Sequence, residues 1–174
     1  MEVRVSVSGV DRLISKLKSY QKSLKNKQKK LLERLAEIGI DVASAKFSTA
    51  QYDGENDVIV DKVPQWSGED KLIISATGNS ITFIEFGTGV HYAEQHPKAV
   101  EFGAMRGEYG QGKGSQDSWG YYGVPGTNGR AVKTTEKGTV IVTHGNPPAR
   151  AMYDAGKEMR KKIVEIAREV FSSD

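Results

Sequence analysis

The 174-residue sequence contains no cysteine, which excludes disulfide bonds, cysteine-ligated zinc, iron–sulfur clusters and a thiol nucleophile. Long hydrophobic runs are also missing, because no apolar stretch approaches the roughly 18 residues that a membrane-spanning helix needs. The opening MEVRVSVSG alternates charged or polar residues with valines, whereas a signal peptide has an unbroken apolar segment. We therefore expect a protein without membrane contact that works in the cytosol or in a particle assembled there.

A large excess of charge of one sign is lacking as well, since the formal net charge is only +3. The charges are nevertheless separated along the chain. Residues 1–50 carry eleven Lys and Arg against five Asp and Glu, residues 51–100 carry three against eight, and residues 101–174 carry eleven against nine. A basic first third beside an acidic middle predicts pairing within the chain, or head-to-tail contact between copies, as readily as nucleic-acid binding.

Apolar periodicity predicts a strand and then a long helix in the first third. Valines alternate with polar residues over 2–8, which predicts a half-buried strand. A helix is expected to begin near Asp11, a suitable first-turn acid. Its apolar stripe is interrupted over the basic residues 25–30, so the sequence allows either one long helix or two helices bent there. The stripe comprises Leu13, Leu17, Tyr20 and Leu24, then Leu31, Leu35, Ile38, Val42 and Ala45.

β-rich runs predict strands in the middle of the chain. Residues 58–63 favour a strand that Pro64 ends. The runs KLIISAT (71–77) and SITFIEF (80–86) are separated only by Gly-Asn, which is typical of a two-residue hairpin turn. The sequence therefore predicts an antiparallel hairpin over 71–86.

The end of the chain predicts a strand over 139–143 and, after two prolines, a C-terminal helix. We expect a single α+β domain over 1–174. It would contain an antiparallel sheet of about four to five strands with both helices packed on one side. A charge placed at Leu35 or Ile163 is expected to unfold the chain. The C-terminal helix has the apolar stripe Met152, Ala155, Met159, Ile163, Ile166 and Val170.

Glycine is concentrated in one segment, because twelve of the nineteen glycines lie between residues 87 and 138. This predicts a long loop or arm over about 93–137, which folding should not require. Four aromatic residues in it suggest a docking arm for a partner protein. The alternative is a surface loop folded over its own sheet. The four residues are Tyr109, Trp119, Tyr121 and Tyr122.

The sequence offers little support for catalysis or metal binding. His91, Glu94 and His96 contain ligand types that zinc accepts, but their spacing is not that of a helical pair and Pro97 disfavours a helix. We interpret the histidines as exposed or turn residues. No Ser–His–Asp arrangement is supported, because GTGVH (87–91) and THGNPP (143–148) lack a strand–nucleophile–helix turn. We therefore expect no enzymatic activity, no cofactor and no metal site.

A basic segment within the predicted N-terminal helix offers possible phosphate contacts. Charge runs are usually solvated helix faces, and no aromatic residue is interleaved here for base stacking. Non-specific contact with DNA is therefore a secondary expectation. The lysines concerned are Lys22, Lys25, Lys27, Lys29 and Lys30.

Two short motifs, FIEFGTGVHY (83–92) and HGNPPARAMYDAGKEM (144–159), resemble those of a family of tailed-phage proteins. These are the neck, or head–tail joining, proteins of siphophages and prophages, also described as tail components or minor capsid proteins. In that family a strand ends in EFGT, a variable loop follows, and a PAR segment opens the C-terminal helix. The matching residues are Glu85, Phe86, Gly87, Thr88 and Gly89 in the first motif and Pro148, Ala149 and Arg150 in the second.

The resemblance implies a non-enzymatic structural protein of the virion head–tail junction, present in the host cytoplasm during assembly. Its partners would be further copies of itself in an oligomeric ring and the neighbouring head-closure and tail proteins. A heterologous head-to-tail contact closes into such a ring when its rotation allows. The alternative is a cytosolic nucleic-acid-binding domain that uses the basic helix over 22–30.

Overall fold

The computed structural model describes residues 7–92, 94–110, 115–127 and 129–172 and confirms the α+β class. Most of the strand expected over 2–8 lies outside these residues. Within the described ranges, three helices and seven short strands follow one another. They are α1 (Val7–Ser48), β1 (Ile59–Val60), β2 (Gln65–Trp66), β3 (Leu72–Ile73), β4 (Ala76–Thr77), α2 (Ile81–Phe86), β5 (Trp119–Tyr122), β6 (Arg130–Thr135), β7 (Gly138–Thr143) and α3 (Ala151–Ser172).

The N-terminal helix α1 is continuous through the basic residues 25–30, so the two-helix alternative is wrong. It begins at Val7, four residues before the expected start, and its 42 residues span about 63 Å. Helix α3 packs antiparallel against its C-terminal half. Lys46 pairs with Asp154 at one end of the contact, and the Arg34 guanidinium lies 2.6 Å from Glu169 near the other. None of the helices in the described residues combines the length and apolarity needed to cross a membrane.

The strands form three small antiparallel sheets and not the single sheet of four to five strands that the sequence predicted. Strand β1 pairs with β4, and β2 pairs with β3, as two-residue ribbons. The third sheet has the order β5-β7-β6, with Trp119 opposite Thr143 at one end. Its centre is β7, the strand expected over 139–143.

The hairpin predicted over 71–86 is wrong, because its second run forms the helix α2. Asn79 and Ser80 were expected in the hairpin turn. Their N–H groups instead donate to the Asp57 carboxylate at 2.7 and 2.9 Å. Helical spacing then buries Ile84 and Glu85. A carboxylate over twenty residues upstream therefore outweighs the strand propensity of the β-branched and aromatic residues.

The segment 93–137 is not a separate arm, because it contains β5 and β6 of the three-stranded sheet. Both strands pair with β7 along their length. Replacing residues 103–129 by a short linker would remove β5, so the segment contributes to the sheet, and that folding does not require it stays a prediction. The sequence did not predict these strands because the segment is rich in glycine, which disfavours regular strand conformation.

Two apolar clusters form the core along the C-terminal half of α1. One joins α1 to β1, α2 and the start of α3, and the other joins α1 to the end of α3. Leu35 is buried as predicted, but Ile163 is 44% exposed, so its place in the core stripe is wrong. The first cluster is Ile40, Ala43, Phe47, Val60, Ile84, Ala151 and Ala155, and the second is Leu35, Ile166 and Val170.

Replacing Ile166 by Asp is expected to unfold the protein. Its side chain is only 3% exposed, so the change buries an unpaired carboxylate at a cost of at least about 4 kcal/mol. Such a loss approaches the whole stability of a marginal domain, about 5 kcal/mol. The matched control, Ile163→Asp in the same helix, should melt close to the wild type. Thermal melts followed by circular dichroism test both, and equal losses in the two variants would contradict this packing.

The contact between Asp57 and α2 predicts an acid sensitivity. Hydrogen bonds from the Ser80 hydroxyl, then from the Asn79 and Ser80 N–H groups, hold the pKa of Asp57 well below its ordinary value. The stabilisation of the fold by ionised Asp57 is therefore complete above about pH 4. It is lost as the pH falls from there towards the lowered pKa of Asp57.

We expect Asp57→Asn to lower the melting temperature at neutral pH and to flatten its fall between about pH 5 and pH 2. The exposed Asp70→Asn variant serves as the control and should follow the wild type. If Asp57→Asn instead retained the full acid-induced loss, another carboxylate would be responsible.

Candidate functional site

The two sequence motifs meet in space, and the contact is centred on Glu85, a side chain only 6% exposed. Its carboxylate accepts hydrogen bonds from the backbone N–H groups of Met152 and Tyr153, both at 3.0 Å. These are unpaired donors in the first turn of α3, where the helix dipole also favours a negative charge. Glu85 therefore acts as the N-terminal cap of a helix more than sixty residues further along the chain.

Backbone hydrogen bonds also join the two motifs on both sides of Glu85, and we call this contact between the motifs the junction. The Ala149 N–H donates to the Ile84 carbonyl at 2.8 Å, and the Arg150 N–H donates to the Glu85 carbonyl at 3.2 Å. Thr88 and Asn146 exchange N–H to carbonyl bonds of 2.8 and 3.2 Å, as paired strand residues do. The residues around EFGT are thus joined, atom to atom, to those around PAR.

Glycine is required at two positions of the first motif. Gly87 has φ of 83°, and a Cβ there would lie 2.8 Å from the Asn146 carbonyl oxygen. Gly89 has φ of 82°, and its Cβ would lie 2.6 Å from the His144 carbonyl oxygen. Both contacts are shorter than atoms tolerate, so the sharp turn expected of these glycines is confirmed. The turn follows the helix α2, however, and not a strand as the family pattern implies.

Aromatic rings close the junction from the other side. The Phe86 ring lies edge-on to the His96 ring at 4.4 Å between centroids, and Tyr153 packs on the same imidazole at 5.4 Å. His96 is buried, and its Nε2 lies 3.3 Å from a carboxylate oxygen of Glu85. His96 begins a turn, since its carbonyl accepts the Ala99 N–H at 3.0 Å, so of the expected exposed or turn position only the turn is confirmed; the side chain is buried in the junction.

Arg150 differs from the other motif residues because its side chain is exposed. Its backbone has φ of 55°, in the left-handed region that residues other than glycine rarely occupy. Its carbonyl nevertheless accepts the N–H of Asp154 at 2.9 Å in the first turn of α3. The left-handed backbone costs conformational free energy while the guanidinium stays exposed, and strained residues of this kind recur at functional positions.

The four aromatic residues expected to form a docking arm line a cleft of about 1,140 Å³ beside this junction. Tyr109 stacks on Phe83 at 5.9 Å, and its hydroxyl donates to the Gly87 carbonyl. Burial raises the pKa of Tyr109 to about 12. Trp119 and Tyr121 are half-buried in β5, whereas Tyr122 is exposed. Only Tyr122 of the four therefore has the exposure that a docking arm needs.

One polar atom in the cleft wall lacks a partner among the residues that the structure describes. Asn146 is 2% exposed and donates from its side-chain amide to the Thr88 hydroxyl at 3.2 Å, but its Oδ1 accepts no hydrogen bond there. Deeper in the wall, the Thr143 hydroxyl donates to the buried Asp53 carboxylate. The cleft is thus lined by aromatic rings and has polar groups in its wall, an arrangement suited to binding.

The lysines proposed to contact phosphate are largely engaged within the chain. The Lys25 ammonium lies 2.7 Å from Glu69, Lys29 lies 5.8 Å above the Trp66 ring, and Lys27 donates to the Phe171 carbonyl at 3.3 Å. Among the ion pairs of the described residues, Lys25 with Glu69 is the one that joins the basic first third to the acidic middle. Lys22 and Lys30 are exposed on the same helix.

The N-terminal part of α1 extends past the core. Every residue from 9 to 26 is exposed, including an apolar stripe that the sequence placed in the core. Leu13 is 57% exposed, Leu17 58% and Tyr20 64%. We call residues 9–26 the arm; it is a different segment from the docking arm that the sequence predicted over 93–137. Its stripe of Leu13, Leu17, Tyr20 and Leu24 keeps the 4-3-4 spacing that is typical of helices packed on a partner.

One grouping of side chains was missed by sequence reasoning. His91, Asp117 and His144 are far apart in the chain, but their ligating atoms all lie within 4.8 Å of one another. The pairing of β5 with β7 and of Thr88 with Asn146 brings them together. No local spacing carries that information. Only a correct prediction of both pairings would have revealed the cluster.

Comparisons of this chain with protein-family models, with curated proteins and with solved structures find no match.

Replacing Glu85 by Ala is expected to destabilise the fold by about 2–3 kcal/mol, because two N–H groups of α3 lose their acceptor. Glu85→Gln keeps one carbonyl oxygen and should lose less. Denaturant unfolding measures both changes in free energy. The exposed Glu101→Ala variant is the control. Equal stability of Glu85→Ala and the wild type would show that the cap contributes nothing.

Proposed function

We propose that this chain is a non-enzymatic assembly protein of the tailed-phage head–tail junction, which acts by contact with further copies of itself and with neighbouring head-closure and tail proteins. The motif resemblance suggests the setting, and the virion is the proposed location. The observation that carries the proposal is the arm, 18 consecutive exposed residues of one helix that include an apolar stripe.

An exposed apolar stripe of this kind is unusual in a protein that acts alone. Most helical stability in proteins comes from packing an apolar face, and isolated helices of this length are marginal in water. Leu13, Leu17 and Tyr20 gain that packing only when another surface covers them. The arm is therefore proposed as one half of a contact between subunits.

The proposed second half is the acidic ribbon region of another copy. Ile59 is 67% exposed and Val63 is 76% exposed, and both lie in a stretch that also carries Asp61 and Asp70. We call these four residues the ribbon surface. It matches the arm in apolar character and opposes it in charge, since the arm carries five Lys and Arg against one Asp.

The contact within one chain shows the chemistry that the contact between chains would use. Just beyond the arm, Lys29 lies over Trp66, and Lys25 at its end pairs with Glu69. A surface that meets a different surface of the next copy is heterologous, and repeated copies close into a ring when the rotation permits. This is the geometry that a neck component needs.

The nucleic-acid alternative receives less support. Three of its five lysines contact groups of their own chain, including the Glu69 carboxylate and the Trp66 ring. A salt series distinguishes the two functions, because DNA binding through several phosphates weakens steeply as salt rises. Self-association that persists while DNA affinity is absent would favour the assembly role.

Variants of the two surfaces are expected to complement each other. Leu17→Glu disrupts the arm and Val63→Lys disrupts the ribbon surface, and each alone should stay monomeric where the wild type associates. The wild-type Kd is expected between about 10 µM and 1 mM, since assembly on a template needs only weak contacts in solution. Mixed together, the two variants should form dimers and nothing larger, because one intact contact remains per pair. Sedimentation velocity over a concentration series measures this.

The matched control is Val124→Lys, at a valine that is 79% exposed and outside both surfaces. It should associate like the wild type, and all three variants should keep the wild-type melting temperature. If Val63→Lys also associated like the wild type, the arm would be meeting another arm. If the wild type and Leu17→Glu sedimented alike throughout, the proposal would be wrong.

A further inference from the structure

The cluster of His91, Asp117 and His144 lies at the edge of the three-stranded sheet. The His91 Nε2 is 2.6 Å from Oδ1 of Asp117, and the His144 Nδ1 is 3.6 Å from Oδ2 of the same carboxylate. The two imidazole rings are 6.5 Å apart and inclined at 54°. The Asp117 carboxylate is therefore close to both imidazoles, and one ligating atom from each of the three residues lies within 4.8 Å of the other two.

The backbone holds these residues in place. His144 directly follows β7, and Asp117 precedes β5 by two residues, so the Trp119–Thr143 pair keeps them side by side. His91 is anchored through the Thr88–Asn146 pairing and by the close approach of Gly89 to the His144 carbonyl. The Gln95 side-chain amide also donates to the His91 carbonyl at 2.9 Å. Three separate segments of chain are thus fixed before any ligand binds.

The ligand set and its spacing suit a divalent transition metal. Zinc takes imidazole nitrogen and carboxylate oxygen at about 2.0–2.2 Å, which places neighbouring ligand atoms about 3.4 Å apart in a tetrahedron. The ligating atoms of the cluster lie up to 4.8 Å apart, and side-chain rotations that move each atom by about 1 Å bring them to the tetrahedral spacing. The three side chains are exposed and so can rotate. Calcium and magnesium prefer sets made of oxygen alone.

We propose that His91, Asp117 and His144 form a three-ligand site for Zn²⁺, with the fourth position left to water. Zinc binding would replace the hydrogen bond that His144 Nδ1 donates to the Asp117 carbonyl at 3.2 Å. The bound ion would link the segment after α2 to the strands β5 and β7. It would therefore act as a structural clip beside the Glu85 junction. This site is independent of the assembly role, so either proposal can fail without the other.

Calorimetric titration of the full chain with ZnCl₂ tests the site, and we expect one ion per chain with micromolar affinity. His91→Ala, His144→Ala and Asp117→Asn should each weaken binding at least about tenfold, since even outer partners of metal ligands contribute that much. Zinc should raise the melting temperature of the wild type and leave that of the His91→Ala/His144→Ala variant unchanged. Asp70→Asn is the exposed carboxylate control and should bind like the wild type.

Nuclear magnetic resonance of the wild type provides a second measurement that needs no variant. Zinc should shift the imidazole signals of His91 and His144 and leave those of the buried His96 in place. Magnesium should shift none of them. Absence of saturable zinc binding would overturn the proposal, as would unchanged affinity in the double variant or equal shifts at all three histidines.

Discussion

The position of α3 depends on one buried carboxylate. Glu85 lies in the last turn of α2, and its two oxygens accept N–H groups in the first turn of α3, at Met152 and Tyr153. Because α3 then packs antiparallel along α1, the cap sets where the second core cluster of Leu35, Ile166 and Val170 can form. A charged acceptor at a helix N-terminus is strong and directional, which suits it to joining elements distant in sequence.

The same junction explains why the two motifs can be separated by a long insertion. Thr88 pairs with Asn146 immediately beyond the cap, so the chain between them leaves and returns at neighbouring points. Loop length enters the closure entropy only logarithmically, and an insertion at such a point costs little. Here the intervening chain forms the whole sheet β5-β7-β6 and supplies most of the lining of the aromatic cleft.

Elements whose signal is local were predictable, and those that depend on distant partners were not. The helices α1 and α3 and the strand β7 follow from periodicity within their own residues. The helix α2 was mistaken for a strand because Asp57, far upstream, supplies its N-terminal acceptor. The strands β5 and β6 are rich in glycine or exposed residues and form against β7. His91, Asp117 and His144 meet only through those pairings, so no spacing in the sequence indicated their cluster.

The contrast between the two halves of α1 links the fold to the proposed assembly. The half after residue 31 is held by α3 and the core, whereas the arm over 9–26 has its side chains exposed. A helix without packing is close to its own folding limit, so a partner that covers the arm must also offset the cost of ordering it. In the proposed assembly, that cost would make contact between free subunits weak. On a preformed template neighbouring copies are already held close together, so each contact forms at a high effective concentration. The same weak contact through the arm would then be sufficient.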